Sequence, residues 1–300
     1  MEKEPRRKRK LTELSLIDDF LFGLFIQEAG SEEVLKGLIE RMLDIKVSKI
    51  SLKQKQHEIS SDPDLHGIRL DAFVQDDDSS TLYDIEVQTV DTENIPKRMR
   101  YYQSLIDREQ MPSGEYDYNK LPRTIIIFVT DFDPFDEGLY RYTFENTCAE
   151  RKALKLGDES IKVVLNTKGK KAEGVKPELI ELLKYFHSST KETAEKTSSD
   201  FVKRLDKMLE PIKNSPKFGG EFMSIQEKMY TERRIGREEG KREGIREGMQ
   251  KGIQKGRQEG RQEGRQEGRQ EGRQEERQEI TKKMRSMGMT EEQIKAILAN

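Results

Sequence analysis

Apolar and polar residues alternate from Ile68 to Gln88, IRLDAFVQDDDSSTLYDIEVQ, with the two-residue period of a β-strand. The run is interrupted by a polar DDDSS segment, so it predicts two strands, IRLDAFVQ and TLYDIEVQ, joined as a hairpin. Ile68, Leu70, Ala72 and Val74 share one face of the first strand, and Arg69, Asp71, Phe73 and Gln75 share the other. In the second strand Tyr83, Ile85 and Val87 turn to a core, while Asp84, Glu86 and Gln88 point to the opposite side. Further strands are expected at Lys46 to Lys53, Leu139 to Asn146 and Ile161 to Leu165, with an exposed loop from His57 to Gly67. The wholly apolar TIIIFVT of Thr124 to Thr130 predicts a strand buried on both faces, parallel to the Glu86 strand because a helix connects them.

Helical spacing marks the remaining ordered segments. From Leu16 to Ile26, Ile17, Phe20, Leu21, Leu24 and Phe25 form one stripe, with Asp18 and Asp19 near the helix start. Ser31 is placed to cap a helix whose stripe is Val34, Leu35, Leu38, Ile39 and Met42. Ile95 to Glu109 carries Pro96 in its first turn and buries Met99, Tyr102, Leu105 and Ile106. Pro177 to His187 turns Leu179, Ile180, Leu182, Leu183 and Phe186 inward. The tract SSTKETAEKTSSD reads as a polar linker, followed by amphipathic helices from Phe201 to Met229 broken near Pro211 and Pro216.

From Gly236 a four-residue period takes over, with Gly recurring every fourth position through Gly272 and the unit GRQE repeated almost without variation. Each Gly costs about 1 kcal/mol against Ala in a helix, and the period sets Arg four from Arg and Glu four from Glu, forfeiting i,i+4 ion pairs. Two readings stay open: a flexible charged extension, or a helix whose bare glycine row lets a second helix approach while Arg and Glu cross-pair. Thr290-Glu-Glu-Gln then caps a short helical tip carrying Ile294, Ile297 and Leu298. The expected organisation is a basic arm at 1–10, a folded domain at 11–188, linker and helices at 189–235, the repeat at 236–279 and the tip at 280–300.

Composition narrows the chemistry. The 300 residues are 33% hydrophobic and 37% charged with a net charge of -2, so no global basic field advertises nucleic acid. One cysteine excludes an internal disulfide, and with three scattered histidines it argues against zinc. No membrane-length apolar run or signal peptide is present in the sequence, which points to the cytoplasm. The sharpest chemical candidate is the hairpin. Paired strands would bring Asp71 and Glu86 together on one open face, with Gln88 further along the row, an oxygen site for a hard divalent cation. The plainer alternative is an amphipathic hairpin with its polar face in water. Lys97, Arg98, Arg100, Tyr101 and Gln103, near the start of the helix that follows, either meet phosphates or form an ordinary basic face.

Asp71, then Glu86-Val87-Gln88, resembles the PD-(D/E)XK nuclease core with Gln in place of Lys. LIDDFLFGLF, GIRLDAFV with DIEVQT, PKRMRYYQSLID, IIIFVTDFDPF, YTFENTC and LNTKG, in that order and with GREEG-type repeats at the end, resemble the bacterial Rpn family of recombination-promoting nucleases, also called PD-(D/E)XK nuclease family transposases. The resemblance implies an α/β fold, restriction-endonuclease-like, with a mixed sheet flanked by helices. C-terminal helices and a long charged Gly-repeat tail, helical or flexible, would follow. It implies Mg2+, or another divalent cation such as Mn2+, held by Asp71, Glu86 and the Val87 carbonyl, and hydrolysis of DNA. Gln88 would stand where the Lys orients water, with Lys97, Arg98 or Arg69 as neighbouring cations able to compensate for its lack of charge. Arg69 could also hold Asp71 in place or touch DNA. Homo-oligomerisation through the tail is the further partner expected, and the alternative function is an inactive DNA-binding or assembly protein that keeps the fold.

Overall fold

The structure, a computed structural model, describes residues 9–29, 31–59 and 68–298, apart from the side chains of 52–59, 68, 69, 293, 296 and 298. Among these residues the chain forms α1 (Asp19–Ala29), α2 (Glu32–Leu43), β1 (Ile50–Ile59), β2 (Ile68–Asp76), β3 (Leu82–Gln88), α3 (Ile95–Gln110) and β4 (Thr124–Thr130). It continues through β5 (Arg141–Phe144), β6 (Ser160–Asn166), α4 (Pro177–His187), α5 (Lys191–Lys196), α6 (Asp200–Lys213), α7 (Pro216–Ser286) and α8 (Glu291–Leu298). Six strands make one mixed sheet in the order β1-β2-β3-β4-β6-β5. β3, β4 and β6 run parallel, with Glu86 level with Phe128 and Phe128 level with Val164, while the other pairs are antiparallel. This mixed sheet with flanking helices and a long C-terminal helix is the restriction-endonuclease-like α/β arrangement.

Both faces of the sheet are buried. On one, Ala72, Val74, Ile85, Val87, Ile127 and Val129 pack under α1, α2, α4 and α6. On the other, Phe73, Ile126, Phe128 and Val164 pack under α3 through Met99, Tyr102, Leu105 and Ile106. Leu70, expected with Ala72 and Val74, is buried in this second cluster instead. The change of face coincides with the end of the β2–β3 ladder. Pairing runs from Gln75–Leu82 to Ala72–Ile85, and the next amide, Asp71 N–H, donates to the Glu86 side chain.

Other departures follow from local chemistry. β1 begins at Ile50 and runs to Ile59, beyond the expected Lys46–Lys53, because its polar residues are held by pairing with β2 rather than by apolar alternation. The expected loop after His57 is strand as far as Ile59, and residues 60–67, His66 among them, lie outside the described residues. The polar linker contains α5, capped by Thr190, with Ala194 buried in the main core. Pro211 does not break a helix: it lies near the C-terminal end of α6, whose Phe201, Val202, Leu205, Leu209 and Ile212 are buried. Gly37 of α2 lets that helix approach α6, since a Cβ there would stand 2.3 Å from the Phe201 ring. Ser31 caps α2 as expected, accepting from Val34 N–H at 3.3 Å.

The chain divides into compact units Met1–Gln226 and Glu227–Asn300. α7 carries the repeat as one continuous helix. Gly288, in the left-handed region at φ 80°, separates α7 from α8, where Ile294 is buried.

Candidate active site

β2 and β3 lie side by side, and each lends a carboxylate to the other's backbone. Asp71 N–H donates to Glu86 Oε1 at 2.9 Å, and Val87 N–H donates to Asp71 Oδ2 at 3.3 Å. The two acids are thus adjacent and held in place by main-chain donors. The face they share is not open, as the hairpin pattern suggested. α3 covers it, leaving Glu86 4% exposed and Asp84 fully buried. Alternation on β3 puts Asp84 on the same face, two residues from Glu86. Neither Asp84 oxygen has a partner at hydrogen-bonding geometry.

The electrostatics follow from this crowding. Burial first, then the charge of Asp71, pushes the Asp84 carboxyl well above its ordinary range, and the adjoining Glu86 carboxyl and Arg98 pull it back only in part. Glu86 is likewise pushed well up, by burial, then Asp84, then Asp71, with the Asp71 amide and Arg98 opposing. Among the described residues, Arg98, from the first turns of α3, is the cation beside Glu86. Its Nη2 lies 3.9 Å from Glu86 Oε2 and donates to the Tyr102 hydroxyl at 3.0 Å, while Nη1 donates to Gln88 Oε1 at 2.7 Å. The guanidinium also stands 5.2 Å from the Phe128 ring centroid and 5.5 Å from that of Tyr102.

Among the described residues three carboxyls cluster beside one guanidinium, and the Asp84 oxygens have no hydrogen-bond partner, a setting that an added divalent cation would suit. The all-oxygen donor set suits a hard ion such as Mg2+. Among the described residues, no three Asp, Glu, His or Cys side chains stand ready to hold one ion, so the pair Asp71 and Glu86 is the most the side chains offer as they stand.

The model of the PD-(D/E)XK nuclease family transposases matches residues 16–230. The chain belongs to this family. Comparison with curated proteins and with solved structures gives no significant match. PD-(D/E)XK nucleases generally use divalent metal ions, and Asp71 and Glu86, the acids expected from the sequence, stand on the neighbouring strands β2 and β3.

The other predicted residues divide. Gln88 is half-buried, its Oε1 turned to Arg98 and its Nε2 donating to the Val90 carbonyl at 2.9 Å. Lys97, Arg100 and Tyr101 lie on the exposed side of α3. Gln103 is elsewhere: it accepts from the Ser160 hydroxyl at 3.1 Å and donates to Asp107 at 2.8 Å. Ser160 is level with Thr124 and Leu82, four residues along the sheet from Glu86, so Gln103 is removed from the carboxylate pair. The Arg69 side chain lies outside the described residues. Asp84 was not among the predicted site residues. Its signal was present in the sequence: α3 has an apolar stripe that must cover the face to which Asp84 points.

A second polar cluster follows the neighbouring strand. Asp131 N–H donates to the Gln88 carbonyl at 3.0 Å, and its carboxylate meets Thr167 Oγ1 at 2.8 Å, His187 Nδ1 at 2.5 Å and Lys168 Nζ at 3.0 Å. Asp133 accepts from the Phe135 and Gly138 amides as well as from the Tyr142 hydroxyl.

Proposed function

We propose that this chain is a metal-dependent DNA endonuclease that hydrolyses phosphodiester bonds, with Asp71 and Glu86 as its metal-holding carboxylates. The observation that carries the reading is the cross-strand lock of those two acids, each fixed by the other strand's backbone amide. Mg2+ or Mn2+ held there, with the Val87 carbonyl as a further oxygen donor, would supply an acidified water and neutralise charge on phosphorus. The chain's own residues do the rest. Gln88 has one lone pair and one N–H beyond those engaged with Arg98 and Val90, enough to orient a water by hydrogen bonding but not to carry charge. Arg98 supplies that charge from α3, in a position fixed by Gln88, Tyr102 and Phe128. Lys97, Arg100 and Tyr101, on the outer side of the same helix, are placed to meet flanking phosphates.

The test is nicking of supercoiled plasmid with Mg2+, with Mn2+ and with chelator, comparing the parent with Asp71→Ala and Glu86→Ala. Cleavage by the parent alone, abolished by chelator, is expected. Equal cleavage by all three proteins rejects the site, and no cleavage by the parent with either metal favours the alternative, a DNA-binding or assembly protein that has kept the fold without the chemistry.

A further inference from the structure

The repeat of α7 places four kinds of residue in four rows. At 100° per residue, successive members of a row advance about 40° around the helix every 6 Å, and the Arg row lies about 100° to one side of the glycine row with the Glu row about 60° to the other. Nothing in the chain itself requires the glycines. A Cβ built at any of them from Gly236 to Gly272 meets no atom within 4 Å, in contrast to Gly37 and Gly169. Nothing in the helix neutralises the charges either. Among the described residues, no ion pair joins the Arg row from Arg257 to Arg269 to the Glu row, because the period leaves no opposite charge three or four positions away. Ion pairs within the tail helix occur at Arg234–Glu238, where the repeat begins, and at Glu247–Lys251 and Lys255–Glu259, where it is interrupted. Around these last two, Ile245, Met249 and Ile253 replace the cation, and Lys251 and Lys255 replace the acid.

We propose that this face is a parallel self-association surface whose occupant is the α7 helix of a second copy of the chain. Rows at i±4n incline about 26° to the helix axis, so two helices that keep their glycine rows together meet at a local crossing of about −50° and wind around each other with a right hand, their backbones close because no side chain intervenes. Charge then decides direction. When two identical helices run parallel about a two-fold axis, the Arg row of each faces the Glu row of the other along both margins. When they run antiparallel, Arg faces Arg and Glu faces Glu. The complementary partner is therefore a second copy in the same direction.

The experiment is the solution mass of the full chain by sedimentation equilibrium, after nuclease treatment to remove nucleic acid. The parent is expected at twice the mass of a single chain. Reversing Arg257, Arg261, Arg265, Arg269 and Arg273 to Glu, or in a separate chain Glu259, Glu263, Glu267, Glu271 and Glu275 to Arg, is expected to halve it, and mixing the two variants to restore it. Restoration on mixing shows that each variant remains competent to fold. A monomeric parent, a reversed chain that stays dimeric, a mixture that stays monomeric, or association lost with the nucleic acid would each overturn the proposal. Direction is read from spin labels at Gln254→Cys or Gln278→Cys in a Cys148→Ser background. A parallel pair gives the same short separation at both sites, whereas an antiparallel pair adds at least about 36 Å along the axis at one of them and overturns the proposed direction.

Discussion

Removing Arg98 should damage stability and cleavage together, and a lysine introduced in place of Gln88 should restore the second. The Arg98 guanidinium stands 3.9 Å from a Glu86 carboxylate that is itself almost fully buried. With Glu86 ionised, an effective dielectric of about 20 makes that pair worth about 4 kcal/mol before the cost of desolvating either partner. Arg98 is 29% exposed, so part of this is screened, but its truncation also strands the Gln88 and Tyr102 oxygens and uncovers Phe128. About 3 kcal/mol of lost folding stability is expected for Arg98→Ala without metal, read by urea unfolding. Mg2+ should recover more stability in this variant than in the parent, since the ion replaces the missing positive charge.

In the plasmid assay the same substitution removes a fixed charge beside the reacting phosphate and should slow cleavage by about 10²–10³-fold. Adding Gln88→Lys puts an ammonium on the strand beside Glu86 and should return at least about ten-fold of the loss. A purely structural Arg98 would show the stability defect with no rescue of turnover by Gln88→Lys. Unchanged cleavage by Arg98→Ala, or a double variant no faster than the single one, would refute the reasoning.

Three further outcomes follow from the same geometry. Because burial and neighbouring acids raise the folded pKa of Asp84 and Glu86, the folded protein binds more protons than the unfolded one above the ordinary carboxylate range. Metal-free stability should therefore fall as pH rises from about 4.5 through those raised values, and Asp84→Asn should flatten that slope in urea unfolding at a series of pH values; an upward slope there would contradict the assignment. Below pH 4 the opposite sign takes over, since Asp76, Asp131 and Glu181 have depressed values and lose their contribution as they protonate. Gly37→Ala, which drives a methyl into the Phe201 ring, should cost about 1–3 kcal/mol by thermal or urea unfolding, and a neutral result would mean that α2 and α6 are not packed as closely as described. Mg2+ at one hundred times its dissociation constant should stabilise the parent by about 2.7 kcal/mol and leave Asp71→Asn with Glu86→Gln unaffected, as judged by melting temperature.

How legible each element was depended on whether its own residues or its neighbours held it. TIIIFVT could be placed from the sequence because a strand buried on both faces has to be apolar throughout, and β4 is buried at every position. β1 ran past its expected end because Lys53 to Glu58 carry no apolar alternation, and pairing with β2 supplies what the side chains do not. α5 has six residues and one buried side chain, so its capping residues were its main sign. The neighbouring positions of Asp71 and Glu86 were legible from the hairpin pattern, whereas their burial is read only by laying the apolar stripe of α3 over the hairpin.

The same helix explains why the cation was harder to single out than the acids. Lys97, Arg98 and Arg100 are close in sequence, and composition does not distinguish them. Helical phase does: Arg98 precedes Met99 by one residue and Tyr102 by four, which turns it toward the buried stripe, while Lys97 and Arg100 fall on the solvent side. An arginine on the rim of a buried stripe must find an acid and an aromatic surface, and on this fold Glu86, Gln88, Tyr102 and Phe128 are those partners. Under the proposed function the inner edge of the helix would complete the carboxylate site with a charge that Gln88 lacks, and its outer edge, where Lys97 and Arg100 are exposed, would meet the phosphate backbone.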